Sequence, residues 1–411
     1  MARPNVTVVI NDESFVISGA EQGGTHRGGF VSVDELLKYV GDTAEYQNKV
    51  ATIDDLNDWV GRLKSTEPCA RGDETSTDLT SIPFYHISGG VAVAGNQYAG
   101  ATFSRWPNGP TGDWKEEWWA VNNFLTYGGA AIIGDYSGTD SPLDDPLLPL
   151  DSVFAADSTS QSDIAGIVDR RGDCVGVLGI SSTTEPDSVT ITNASENLIY
   201  VYGEKVHRDW RRINSTVDPT SAETVTSSLA ADVAGCLART DRVSSPWFSP
   251  AGARRGQILD VIRLARNLTP VEQDTLYTAK VNPVVSFAGE GTILFGDKTS
   301  GPDTSTLSRI NVARLFLYLK RVIGRAARTI LFELNDEVTR TSFINAVTPF
   351  LDGLIGQRAL TEFQIVCDET NNTSDIVDSN QFVADIFVKP TKSINFIRLR
   401  FTNVSDGVAL S

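Results

Sequence analysis

The 411-residue sequence is poor in the side chains on which most enzymes and metal proteins rely. Its three histidines, His26, His86 and His207, are isolated, and none stands in an HExxH pattern or beside a nucleophile motif. His207 lies in a stretch that reads as a polar, solvated turn. The four cysteines, Cys69, Cys174, Cys236 and Cys367, are far apart and lack CxxC or Cys/His spacing. That argues against a zinc site and a disulfide framework, and leaves buried free thiols. No uncharged apolar run reaches the length of a membrane span, and the oiliest helical stretch, Val312 to Ile330, carries a cation every few positions. No membrane insertion is expected. Met1 to Asn5 lead directly into an alternating segment without the apolar core of a secretory leader.

Lys and Arg are also missing from Glu116 through Asp169, a stretch that holds Glu116, Glu117, Asp135, Asp140, Asp144, Asp145, Asp151, Asp157, Asp163 and Asp169. From Arg309 to Arg328 the bias reverses, with Arg314, Lys320, Arg321 and Arg325 between those ends and no acid. Opposite charge on separate segments favours head-to-tail contacts between copies, and a heterologous contact that does not close makes a helical filament. The plain alternative is two solvated faces. A net charge of −17 argues against direct nucleic-acid binding, which needs a basic surface.

What is present, 41% hydrophobic and 21% charged residues, is ordinary for a folded chain, and the length implies two or three domains. Val6, Val8 and Ile10 alternate as in a strand, and Gly19 to Gly29 then reads as a flexible tether, with Gly23 and Gly24 as hinge positions. Ser32 to Glu35 and Thr52 to Asp55 look like helix starts of the capping-box kind. A helix over Trp114 to Tyr127 with Trp118, Val121, Phe124 and Leu125 on its stripe stops at Gly128-Gly129, before a strand at Ala130 to Gly134.

A helical pattern at Ile164 to Val168 precedes near-continuous apolar runs at Cys174 to Ile180 and Leu198 to Tyr202. Alternation of buried strands with helices indicates an α/β layer with a largely parallel sheet. From Val284 the pattern becomes α+β. Strand pieces at Val284 to Phe287 and Thr292 to Phe295 lead into a long helix striped by Val312, Phe316, Leu319, Ile323, Ala326 and Ile330. A second helix follows at Arg340 to Ile355, then strands at Phe363 to Cys367 and Phe382 to Val388. Pro390, in Lys389 to Ser393, ends that ladder as a second hinge, and Ile397, Leu399 and Phe401 alternate in a last strand. Two terminal strands on tethers suit strand addition between subunits, although each could pair within its own subunit.

Gly291 to Thr299 imitates a phosphate loop, but Asp297 separates Gly296 from Lys298, and an acid in an anion cradle repels phosphate. No catalytic set, cofactor site or metal site is expected.

Several motifs occur in the order seen in contractile phage tail sheath proteins. They are Pro246 to Gly252 with Arg254-Arg255-Gly256, Leu268-Thr269-Pro270 through Leu276-Tyr277 to Val281-Asn282-Pro283, and Ile293 to Thr299. After these come Arg309 to Arg314, then Val388-Lys389-Pro390 with Ile394 to Phe401. The chain resembles that family over this C-terminal part and more weakly upstream, whereas Glu67 to Pro110 finds no match. It is short for the family, which implies that a variable outer domain is reduced or missing.

The resemblance implies four parts: a strand arm at 1–20, a larger α/β domain of subtilisin-like fold at 21–282, a compact α+β domain at 283–388, and a linker with a strand arm at 389–411. It implies a non-enzymatic structural subunit that stacks as a helical homo-oligomer around a tail tube protein, meets baseplate and tail terminator proteins, and belongs to the virion tail after assembly in the host cytoplasm. Val6, Val8, Ile10, Ile397, Leu399 and Phe401 would carry strand exchange. Lys320, Arg321, Arg325 and Arg328 would form a basic face toward the tube or a neighbouring subunit. A related bacteriocin-like or secretion device, or from another class a cytosolic α/β enzyme, are the alternatives.

Overall fold

The computed structural model describes residues 25–32, 36, 50–59, 86–88, 91–93, 97–99, 102–104, 114–135, 141–156, 161–208 and 224–395. Strand β1 (Arg27–Ser32) is followed by β2 (Val50–Ile53) and by short strands β3 (His86–Ser88), β4 (Val91–Val93), β5 (Gln97–Ala99) and β6 (Thr102–Ser104). β3 pairs with β6 and β4 with β5, both antiparallel. Next come α1 (Trp114–Thr126), β7 (Ala130–Asp135), β8 (Ser152–Phe154), α2 (Gln161–Arg171), β9 (Val175–Ile180), β10 (Leu198–Tyr202), β11 (Glu204–Arg208), β12 (Thr224–Ser228) and α3 (Ala230–Val243). After β13 (Arg263–Leu264), α4 (Pro270–Thr278) leads to β14 (Val281–Asn282) and the hairpin β15 (Val284–Phe287) and β16 (Gly291–Leu294). The chain continues through α5 (Ile310–Thr329), α6 (Glu337–Gly356), β17 (Leu360–Val366), α7 (Ser374–Asp378) and β18 (Asp385–Pro390).

A seven-stranded sheet of order β14-β10-β9-β8-β1-β7-β2 organises the larger part. All its neighbours are parallel except the edge strand β2, which runs antiparallel to β7. Strands buried on both faces must be apolar at every position, which is why Val175 to Ile180 reads as a continuous run. Alternate residues then go to opposite cores. Val175, Val177, Ile199 and Val201 join Trp118, Phe124 and Leu237 of α1 and α3 on one face. Leu178, Ile180, Tyr200 and Tyr202 join Ile164, Ile167 and Val168 of α2 on the other. Each such Leu- or Phe-sized burial contributes about 1.5–3 kcal/mol.

The glycines at the start of β1 are structural. A Cβ on Gly28 would stand 2.7 Å from both the Phe124 and the Phe154 rings, so the bare backbone lets α1 approach the sheet. The expectation of a flexible tether through Gly29 is therefore corrected. Residues 27–29 form a central strand that pairs on both sides, and Gly23 and Gly24 lie outside the described residues.

Two further expectations move. Thr52 and Ile53 end β2 instead of starting a helix, and the helical turn begins at Leu56, with the Asp55 carboxylate accepting from Asp58 N–H at 2.9 Å. Ser32 ends β1, and Val33 to Glu35 lie outside the described residues. A capping box does form at Thr269, a position not singled out from sequence as a helix start. There Thr269 Oγ1 accepts from Glu272 N–H at 3.3 Å, the Glu272 carboxylate accepts from Thr269 N–H at 2.7 Å, and Pro270 opens α4.

The second part is built on α5, α6 and the antiparallel pair β17–β18, whose core includes Phe316, Leu319, Ile323, Phe343, Val347, Leu351, Leu360 and Ile386. α5 belongs to both parts, because Ile310 and Leu317 lie in the first core while Val312, Phe316, Leu319 and Ile323 lie in the C-terminal one. The hairpin β15–β16, expected in the C-terminal domain, also sends Val284 and Leu294 into the first core. No helix among the described residues is long and apolar enough to cross a membrane.

Candidate functional site

The two surfaces the sequence singles out are the basic helix and the strands at the chain ends. α5 separates its cations by position along its length. Arg314 is 5% exposed, and its guanidinium donates to both carboxylate oxygens of Asp241 at 2.6 Å. His26, 3% exposed, contacts the same carboxylate through Nδ1 at 2.7 Å and Ser152 Oγ through Nε2 at 2.9 Å. Arg321 forms an ion pair with Asp151, and Lys320 Nζ donates to the Gly172 carbonyl.

Burial alone would raise the Asp151 carboxyl. Arg321, with His26 and the Arg27 N–H, outweighs it and holds the group at about 2. Burial would likewise raise Asp241, and Arg314 with His26 pulls it below the usual range. Lys320 is lowered by burial, with Asp173 opposing.

The expectation of one outward-facing basic set is thus corrected. Lys320 and Arg321 are committed inside their own subunit, and Asp151, the partner of Arg321, comes from this chain's own acidic stretch. Arg325 and Arg328 are exposed and make no ion pair among the described residues. Periodicity placed these cations off the apolar stripe correctly but could not reveal that Asp151, before β8, and the Gly172 carbonyl, after α2, meet that side.

Asp241, His26 and Ser152 have the connectivity of a hydrolase triad, which no local motif announced, the outer two being 215 positions apart. Ser152 is 0% exposed in mid-sheet and Arg314 occupies the Asp241 carboxylate. A nucleophile must reach its substrate, so this cluster acts here as a buried joint between β1, β8, α3 and α5. His207 is also corrected. It is 0% exposed on β11, 2.7 Å from Ser227 Oγ and packed on the Trp119 ring. Cys174 and Cys236 are buried thiols pushed up to about 12 by burial.

Pro390 is the last residue of β18, opposite Leu360, so the ladder runs two residues past Val388. The β17–β18 pair has no third strand among the described residues. Phe387 is 42% exposed and Val388 half-buried on this small sheet. Val6, Val8, Ile10, Ile397, Leu399 and Phe401 lie outside the described residues, so the structure does not bring them to any site.

The motif Pro246 to Gly256 clasps the hairpin. Gly252 N–H donates to Leu294 O at 3.0 Å, Leu294 N–H to Gly256 O at 2.7 Å, and Arg255 Nε to Ser249 O at 2.6 Å. These contacts tie the most recognisable part of the sequence to β16, beside the helix that joins the two cores.

Comparison with known proteins identifies this architecture. Residues 147–300 match the phage tail sheath protein central domain and residues 303–402 the phage tail sheath C-terminal domain. The chain belongs to the phage tail sheath family. It is 35% identical over 341 residues to the tail sheath protein of Enterobacteria phage T4, an alignment covering 78% of this chain and 51% of that protein. With the tail sheath protein of Vibrio phage KVP40 it shares 52% identity over 177 residues, 43% of this chain and 26% of the relative. The chain spans about half the length, or less, of the curated relatives it matches.

Two solved structures share its fold over 98% of its length. The sheath complex of the extracellular contractile injection system PVC in the contracted state has a TM-score of 0.65 at 17% identity, with 98% of that chain covered. The anti-feeding prophage helical sheath in the contracted state has 0.64 at 16%, with 99% covered.

Proposed function

We propose that the chain is the structural subunit of a contractile tail sheath, polymerising helically around an inner tail tube and repacking into a shorter, wider helix that drives the tube through the host envelope. The observation that carries this reading is the small β17–β18 sheet of the C-terminal part, which has no third strand among the described residues. A two-stranded sheet is marginal alone and its unpaired edges invite added strands. The strand-like segments around Val6 to Ile10 and Ile397 to Phe401 supply such strands to neighbouring copies, with main-chain hydrogen bonds giving affinity and alternating side chains giving register.

The four-part division at residues 20, 282 and 388 belongs to the same reading, with α5 as the member shared by the two folded parts. The exposed Arg325 and Arg328 meet the tube or a neighbouring subunit, while Lys320 and Arg321 keep the helix seated. Tail tube, baseplate and terminator proteins are the other partners, the role is structural with no catalysed step, and assembly takes place in the host cytoplasm before incorporation into the virion tail. Identity to phage proteins favours a tail over a bacteriocin-like or secretion device.

Negative-stain microscopy of the purified chain tests the reading: long tubes are expected, and a monodisperse small particle at high concentration would overturn it.

A further inference from the structure

The chain does not swing free where β18 ends. Thr391 N–H donates to Ala359 O at 3.0 Å, and Thr391 O accepts from Asn311 Nδ2 at 3.5 Å, in the first turn of α5. Two residues on, Ser393 Oγ donates to Asp297 Oδ2 at 2.8 Å. After two more, the Asn395 amide oxygen, in the orientation that satisfies its neighbours, accepts from Arg309 Nη1 at 2.7 Å and from the Tyr277 hydroxyl at 3.0 Å. Lys392 and Ile394, between these residues, are exposed, Ile394 by 82%. Contacts at every second residue, 391, 393 and 395, thus hold the segment against the fold, while Lys392 and Ile394 make none of them.

The groups that hold it are themselves immobilised. A Cβ on Gly296 would stand 2.6 Å from Asn282 Oδ1, so the loop lies directly on β14. There Asn282 Nδ2 donates to Lys298 O at 2.8 Å and Asn282 Oδ1 accepts from Lys298 N–H at 2.8 Å. Arg309 Nη1 donates to the Tyr277 hydroxyl at 2.7 Å, and Lys298 Nζ sits 4.6 Å above the Tyr277 ring. Asp297 is 5% exposed and its Oδ1 makes no hydrogen bond. A buried carboxylate without an ion pair is costly, and the Ser393 hydroxyl supplies a hydrogen bond that offsets part of that cost. Beside the held segment a cleft of about 500 Å³ opens, lined by Asp303, Ser305, Arg309, Lys392 and Asn395 among others.

We propose that Asp297, Tyr277 and Arg309 form a clamp that sets the direction in which the C-terminal arm leaves its subunit, so that the chain bends beyond Asn395 and not at Pro390. The inference rests on the reading of that arm as lent to a neighbour. It also gives the phosphate-loop look-alike a use, since its acid faces a hydroxyl of the arm. All three are positioning residues.

Hydrogen exchange on the full-length chain, followed by mass spectrometry, tests the clamp before any assembly. Ser393→Ala and Asn395→Ala, both outside the cores, should speed exchange across residues 391–395 at least tenfold, and Ser393→Thr, which keeps the hydroxyl, should restore protection. Ile394→Ala is the control and should change nothing. Equal exchange in all variants would overturn the clamp. Microscopy then reads the arm's direction: wild type should give straight tubes, and Asn395→Ala tubes of irregular diameter. Regular Asn395→Ala tubes despite faster exchange would overturn the directional role, and a wild type that forms no tubes would overturn the sheath reading while the exchange contrast still judged the clamp.

Discussion

The seven-stranded sheet and the β17–β18 pair solve the same problem in opposite ways. The seven-stranded sheet is covered on both faces by α1, α3 and α2, ends in an antiparallel strand, and places its ion pairs at the seam with α5. The β17–β18 sheet is one hairpin-like pair leaning on α6, with partly exposed apolar groups and no third strand among the described residues. A sheet whose inner strands are paired on both sides and covered on both faces stores stability, whereas a lone pair, in which every strand is an edge, offers a binding site. The same chain therefore carries a fully layered part and an unfinished one, and α5 sends residues into both cores.

The largest effect that would break this contrast is loss of the terminal segments. Removing residues 1–18 or 396–411 should abolish tube formation seen by microscopy while leaving the circular-dichroism melting temperature of the monomer nearly unchanged. A large drop in melting temperature would mean the segments complete the subunit's own fold instead.

Next comes the seam. Arg321→Ala leaves Asp151 without its cation and should cost about 1–2 kcal/mol in urea unfolding, the pair being part-buried, whereas the sequence-based expectation of a surface contact predicts almost nothing.

Asp297 sharpens the comparison through pH. Burial raises its carboxyl from 3.8 to about 6, against the opposing hydrogen bonds of Ser393 and Ser249 and the charges of Arg309 and Arg255. The protonated form is the one the fold favours, so its contribution is complete below about pH 4 and is lost as pH rises through about 6. Unfolding free energy should fall by up to about 3 kcal/mol across that window relative to Asp297→Asn. Parallel pH profiles for the two chains would refute the assignment.

Within the large sheet, Gly28→Ala should cost about 1–3 kcal/mol by driving a methyl into Phe124 and Phe154. The smallest effect on stability belongs to Arg325→Glu with Arg328→Glu, within about 0.5 kcal/mol by chemical denaturation. Any loss of tubes in that variant then reports on contact and not on folding.

Much of this was legible before the structure. Leu198 to Tyr202 and Val284 to Phe287 are strands at the bounds their composition suggests, and α1 buries Trp118, Val121, Phe124 and Leu125 as its spacing requires. The misses share a cause. Arg27-Gly28-Gly29 looks like a tether because glycine signals freedom, yet here it serves the close approach of a helix. His207 looks solvated because its neighbours are polar, yet Lys205 is also buried, paired with Asp232 at 2.8 Å. Lys320 and Arg321 look like a free surface because they stand off the apolar stripe, yet the Gly172 carbonyl and Asp151 of the same chain engage them.

What the sequence determined by itself was local: which segments are strands or helices, which face of each is apolar, and the order of motifs that marks the family. These follow from period, propensity and backbone geometry within a few residues. Which charges are partners, whether a glycine bends or admits, and how the last described residues are held were decided only by tertiary structure. Those outcomes depend on distances between atoms as far apart in the chain as His26 and Asp241, and no local pattern encodes them.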